Sequence, residues 1–335
     1  MHVQKQVVEA LLKPEAYPED PGQIELIQTH ISFVFLTRNF VYKVKKAVNF
    51  GFLDFSTLEK RRFFCEKELE LNRRLCPDMY LEVAPINKSN IIKIKGKGET
   101  VEYSLKMKRM PQEKIMTVLL KENKVDNKTV DEIARIIAQF HSKAQTSSEI
   151  NQYGSLKIVK TNWDENFTQT LKFISKTISQ TDFQFIQTKI NNFMKKSKPL
   201  FESRIKENRI RDCHGDIHSG NIFITDKIYI FDAIEFNDRF RYSDVAADVA
   251  FLAMDLDFQQ RPDLSNYFIE QYIAYSKDQQ LKQLLPFYKC YRAYVRGKVI
   301  SFKLDDPNVT SAEKKSATKE AQAYFKLAAD YAKNL

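Results

Sequence analysis

Residues 213–236, CHGDIHSGNIFITDKIYIFDAIEF, constrain this chain more than any other stretch. They read as a polar loop, a strand over 222–225, a turn at Asp226-Lys227 and a second strand over 228–231 that ends in Asp232. Around this hairpin the pattern is helical, with residues 129–146, 162–179, 182–201, 243–258, 264–276, 279–304 and 311–333 all carrying helical periodicity. A polar loop in front of two apolar strands is where a rigid scaffold presents reactive groups. Here the loop and hairpin deliver His214, Asp216, His218, Asn221 and Asp232.

The first third of the chain has a different character. Residues 31–36 and 40–45 are β-rich runs around Thr37-Arg38-Asn39, and residues 91–95 and 100–107 repeat the arrangement around Gly96-Lys97-Gly98, so two hairpins are expected. Between them lies a helix opened by a capping box of Ser56 and Glu59 and ended by Cys76-Pro77-Asp78. The expected organisation is α+β: a small antiparallel-sheet lobe with one main helix over residues 1–110, and a larger helical lobe over 111–335.

Composition narrows the classes further. Only 8 of 335 residues are glycine, against an average near 7%, which disfavours collagen, low-complexity linkers and a multi-glycine dinucleotide fingerprint. No apolar run approaches the roughly 20 residues of a membrane span and the N-terminus lacks a signal-type apolar core, so a cytoplasmic protein is expected. Cys65, Cys76, Cys213 and Cys290 form no CxxC pair, which fits free thiols in a reducing compartment. The net charge of +10 is spread thinly. A generally solvated basic surface is the first reading and an anionic ligand such as nucleotide phosphate the second, and neither a nucleic-acid nor a membrane partner is expected.

Asp216 and Asn221 stand across a loop with glycine at 215 and 220, so both side chains can be aimed into one volume, and Asp232 returns there at the end of the hairpin. One carboxylate free to take a hydroxyl proton, plus an amide oxygen and a second carboxylate as hard ligands, is what magnesium-dependent phosphoryl transfer requires. Two lures fail or weaken. Gly297-Lys298 lacks the glycine and hydroxyl that a P-loop needs, since Arg292 and Val299 occupy those positions. A metallohydrolase site on His214, Asp216 and His218 is short of further ligands, because the chain holds five histidines in all and the others are distant.

HGDIHSGN followed by FDAIEF resembles the aminoglycoside phosphotransferase-like kinases, a family that includes choline kinase-type enzymes and shares the protein kinase-like fold; FLDFSTLEKRRFFCEKELELNRRLCPD and FDAIEFNDRFRYSDVAADVAFLAMDLD look like an uncharacterised bacterial branch of it. The resemblance covers roughly residues 24–304. It implies a kinase that moves the γ-phosphate of ATP, or of GTP, to a hydroxyl of a small molecule, with Asp216 as base or orienting group and Asn221 and Asp232 holding Mg2+. For His218, contact with the phosphoryl group and orientation of the loop both stand; His214 is expected to anchor the loop, and Asp248 to brace it.

The resemblance also implies a strand lysine paired to a helix carboxylate. The period of two puts Lys43 and Lys45 on one face of their strand, and the family pattern favours Lys43. Its partner comes from Glu66, Glu68 and Glu70, with Glu68 favoured by its distance from Leu75. The segment before Lys43 contains no glycine to cover phosphates, so Thr29, His30 and Ser32 are the available donors, and residues 106–110, including Lys108 and Met110, form the expected adenine-binding hinge. The helix with Tyr288, Tyr291, Arg292, Tyr294 and Arg296 reads first as core and second as acceptor lining, and His141 as a buried structural histidine. A chain of this charge is a poor match for a polycationic acceptor, so a neutral or anionic metabolite is preferred. A regulator that binds nucleotide without turnover, and a protein kinase, are the alternatives.

Overall fold

The computed structural model describes residues 2–307 and 309–335. These fall into two compact units, one made of residues up to Met116 with Asn221–Arg241, the other of Thr117–Gly220 with Tyr242–Leu335. Among the described residues no helix is long and apolar enough to cross a membrane.

The first unit is built on an antiparallel sheet of six strands, β1 (Glu25–Gln28), β2 (Ser32–Leu36), β3 (Phe40–Lys45), β4 (Tyr80–Lys88), β5 (Ile92–Ile94) and β6 (Glu99–Lys108), in the order β1-β2-β3-β6-β4-β5. The β2–β3 hairpin forms in the expected register, with Val34 opposite Lys43 and Ser32 opposite Lys45. The second expected hairpin does not form. β5 pairs with β4 through Ile86 and Ile94, while β6 pairs with β4 on one edge, through Val83 and Leu105, and with β3 on the other, through Tyr42 and Lys106. β4, unassigned in the sequence, takes the intervening place because its Ala84 and Ile86 enter one hydrophobic cluster and its Tyr80 another. With both edges of β6 occupied, the three-residue β5 is left at the sheet margin.

Two helices complete the sheet, α1 (His2–Leu11) and α2 (Leu58–Asn72). Val7 and Leu11 of α1 pack with Phe35, Tyr42 and Val44. The N-cap of α2 is Thr57, whose hydroxyl accepts from Lys60 N at 3.2 Å, and not Ser56. Asp54 explains the displacement: its carboxylate takes both the backbone N–H (2.9 Å) and the hydroxyl (2.6 Å) of Ser56, leaving the next hydroxyl to cap. The hairpin of residues 222–230 belongs to this unit because Phe223, Tyr229 and Phe231 pack with Leu36, Val41, Cys76 and Leu105.

The second unit is helical. Its central helix, Val245–Phe258, is buried at every position from Val245 to Leu256, which is why it shows no apolar stripe. Helices Asn127–Lys143, Pro262–Ser276, Leu281–Ser301 and Ser311–Ala332 surround it. The helix expected over 162–179 runs instead over Leu156–Thr170, and its fully buried Trp163 packs against Phe167, Phe287, Tyr291 and Tyr294. Tyr288 and Tyr294 are core residues. Buried Arg204 bridges Asp244 and Asp278.

Candidate functional site

In the first unit, alternation along β3 sends Tyr42 and Val44 into the core and leaves Lys43 and Lys45 on the opposite face, toward α2. Glu68 meets them both: its Oε1 accepts from Lys43 Nζ at 2.7 Å and its Oε2 from Lys45 Nζ at 2.6 Å. Glu66 instead pairs with Arg62 on the surface, and Glu70 with Lys67. Lys43 Nζ also lies 2.9 Å from Oδ1 of Asp232, and Lys45 forms a second, wholly buried pair with Glu235. Burial pushes the Glu68 carboxyl up, but the two ammonium groups outweigh it and hold the acid at about 2.

Asp232 has a left-handed backbone, φ +65°, unusual for a residue with a side chain. The surrounding groups hold the segment in place. Tyr80 Oη accepts from Asp232 N at 3.2 Å, Asn72 Oδ1 accepts from Ala233 N at 2.9 Å, and Asn72 Nδ2 donates back to the Glu68 carbonyl at 2.8 Å. Asn221 adjoins this segment, since its carbonyl accepts from Phe231 N at 3.0 Å. The Asp232 side chain keeps 44% of its surface. A carboxylate that open is the kind of hard oxygen donor that fits a magnesium ion.

In the second unit, the segment from Cys213 to Gly220 is held from behind by buried acids. Asp248 Oδ2 accepts from His214 N (2.8 Å) and Oδ1 from Gly215 N (2.9 Å), while His141 Nε2 lies 3.2 Å from Oδ2 and His141 Nδ1 2.8 Å from Tyr272 Oη. Asp255 Oδ2 accepts from Ser219 N at 2.7 Å. Arg292 Nη1 donates to the Gly215 carbonyl at 2.9 Å. Gly215 has φ +88°, which the turn requires, and a Cβ on Gly220 would stand 2.8 Å from the His218 ring and displace it.

One local device occurs twice in this loop. His214 Nδ1 accepts from Asp216 N at 3.3 Å, and His218 Nδ1 accepts from Gly220 N at 3.1 Å. With Nδ1 an acceptor, the His218 proton sits on Nε2, which is 3.5 Å from Asp216 Oδ2. Burial pushes the Asp216 carboxyl up, yet His218, Arg296 and His214 pull it down to about 2. It is therefore an ionised acceptor at neutral pH.

The structure places the other expected residues as follows. Thr29 uses its hydroxyl inside its own turn, accepting from Ser32 N at 2.9 Å. Ser32 is fully buried, and its hydroxyl has no hydrogen-bond partner among the described residues. Lys108 is exposed at the end of β6, its N–H donated to the Met79 carbonyl, and the Met110 carbonyl accepts from Gln112 Nε2 at 3.2 Å. Asn72, Asp255 and the buried pairing of Lys45 with Glu235 were missed. Only the shared face of Lys43 and Lys45 signalled any of them. Among the described residues, the one group of metal-ligating side chains within 4.8 Å is His141, Cys213 and Asp248, not His214, Asp216 and His218. Burial pushes the Cys213 thiol well up, so that group fits hydrogen bonding better than a cation.

Residues 97–284 match the phosphotransferase enzyme family, and the chain belongs to that family. It is 34% identical over 287 residues to uncharacterised proteins of Mycobacterium bovis and Mycobacterium tuberculosis, covering 85% of this chain and 56% of theirs. The chain thus spans little more than half the length of the curated relatives it matches. A choline/ethanolamine kinase family protein from Mesorhizobium loti shares the fold, with a TM-score of 0.54 at 12% identity over 98% of this chain and 100% of that one. The two-lobed, kinase-like α+β fold expected from the sequence is therefore the fold of this chain.

Proposed function

We propose that the chain is a magnesium-dependent kinase that transfers the terminal phosphoryl group of ATP, or of GTP, to a hydroxyl of a small cytoplasmic metabolite. The observation that carries this reading is the Lys43 ammonium bound at once to Glu68 and to Asp232, residues remote from it in sequence. A lysine fixed by a helix carboxylate beside an open metal-type aspartate is the arrangement that grips a nucleotide's phosphates. Lys43 would contact the phosphates, and Asn221 and Asp232 would hold the magnesium ion. Bound there, the ion would neutralise charge developing on the phosphate oxygens.

Asp216 would orient the acceptor hydroxyl and take its proton. An acid held near 2 is a weak base, so its contribution is mainly positioning, with the proton accepted late. His218 would keep that carboxylate aimed through Nε2. A neutral or anionic acceptor suits a chain of net charge +10 better than a polycation.

The test is Asp216→Asn, assayed for ADP release with magnesium and a panel of sugars, amino alcohols, hydroxy acids, nucleosides and basic proteins. The variant should bind nucleotide nearly as the wild type does and turn over on the order of a thousandfold slower. Equal turnover by the two proteins would reject the role of Asp216. Nucleotide binding with no acceptor-dependent turnover by the wild type would favour a regulator, and turnover only with a protein would favour a protein kinase.

A further inference from the structure

We propose that Lys45 and Glu235 are positioning residues for Asp232: their buried ion pair locks the segment that follows this aspartate onto β3 and α2. The inference rests on the metal role given to Asp232 above. Lys45 and Glu235 side chains are 1% and 5% exposed, and Lys45 Nζ also reaches Glu68 Oε2 while lying 4.8 Å from the centre of the Phe55 ring. Buried ion pairs are weak sources of stability, and apolar residues often serve as well. What this pair supplies is placement.

Asp232 adopts φ +65°, a left-handed conformation in which its neighbours' hydrogen bonds hold the segment. Its own carboxylate is open to solvent and held by Lys43. When Lys43 turns to nucleotide phosphates, that contact is the one exchanged. Lys45 is sealed inside the unit, out of reach of a bound nucleotide, and its hold on Glu235 remains. The segment 232–235 is then fixed at its near end by Tyr80 and Asn72 and at its far end by Lys45. Supporting residues behind a metal ligand act on metal affinity in this way.

The experiment titrates magnesium into the full chain with a non-hydrolysable ATP analogue, by calorimetry, and repeats the nucleotide titration in EDTA. Four proteins are compared: wild type, Asp232→Ala, Glu235→Gln and the double variant Lys45→Met/Glu235→Leu, which removes both charges of the pair and leaves Glu68 to Lys43 alone. Asp232→Ala should lose the magnesium dependence. Glu235→Gln and the double variant should need about 10- to 100-fold more magnesium, with nucleotide affinity in EDTA changed less than about threefold in Glu235→Gln, where Glu68 keeps both its lysines. Wild-type magnesium dependence in the double variant, while Asp232→Ala loses it, overturns the positioning role and leaves the kinase reading intact. Unaltered magnesium dependence in Asp232→Ala overturns the metal role and this inference with it.

Discussion

Asp248→Asn tests how the loop that carries Asp216 is held. The Asp248 side chain is 0% exposed and accepts from the backbone N–H groups of His214 and Gly215, with His141 Nε2 beside it. Burial alone would raise its carboxyl; the His141 bond and the nearby His141 and Arg292 bring it instead to about 2, from an ordinary 3.8. A depression of that size corresponds to about 2 kcal/mol of folded-state stability. Asparagine keeps one accepting oxygen and turns the other into a donor, so one loop N–H faces a donor, at a cost of about 1–3 kcal/mol. The two costs overlap, and the expected loss is about 3 kcal/mol, or roughly 100-fold faster exchange of the His214 and Gly215 amides if they exchange by opening of the structure. Hydrogen exchange read by mass spectrometry or NMR measures this directly. The pH dependence has a fixed sign: a depressed carboxyl stabilises the fold above its unfolded value, and that stabilisation is lost as pH falls from about 4 through about 2. The gap between wild type and variant should be flat from neutral pH to about 5 and close below that. Wild-type protection of those amides in Asp248→Asn at pH 7, or a gap that stays open at pH 2, would refute the bracing role.

Two further substitutions probe the units separately. Arg204→Met strands the buried carboxylates of Asp244 and Asp278, which it now meets at 2.7 and 2.5 Å, and should destabilise the helical unit by about 3–5 kcal/mol in urea unfolding; an unmoved midpoint would show that the pair of acids is satisfied without it. Asn72→Ala leaves the Ala233 N–H and the Glu68 carbonyl without their shared partner and should cost about 1–3 kcal/mol in thermal denaturation, with no change counting against the link between α2 and the Asp232 segment.

The features legible in the sequence were the local ones. The β2–β3 hairpin and the hairpin after Asn221 could be read because each strand's partner is its neighbour in the chain. Glu68 could be favoured over Glu66 and Glu70 by counting along one helix, and the pairing with Lys43 agrees. The place of β4 could not, because the pairing of β5 was decided by competition for the edges of β6 and not by the turn at residues 95–98. Nor could the Lys45–Glu235 pair, formed between residues 190 apart, since nothing near either residue names the other. The helix cap moved from Ser56 to Thr57 for a subtler reason: two adjacent hydroxyls were equivalent on paper, and Asp54 engaged one of them.

The helix Val245–Phe258 also acts as a ruler. Asp248 grips the loop at His214 and Gly215, Asp255 grips it at Ser219, and the two acids ride the same rigid rod about 10 Å apart along its axis. The span between the two grips is therefore dictated by helical rise and not by the loop's own sequence. A residue inserted between Gly215 and Ser219 would put one grip out of register, and a residue inserted in the helix would swing one acid around the axis. Length variation in this region should thus be confined to the stretches outside both grips.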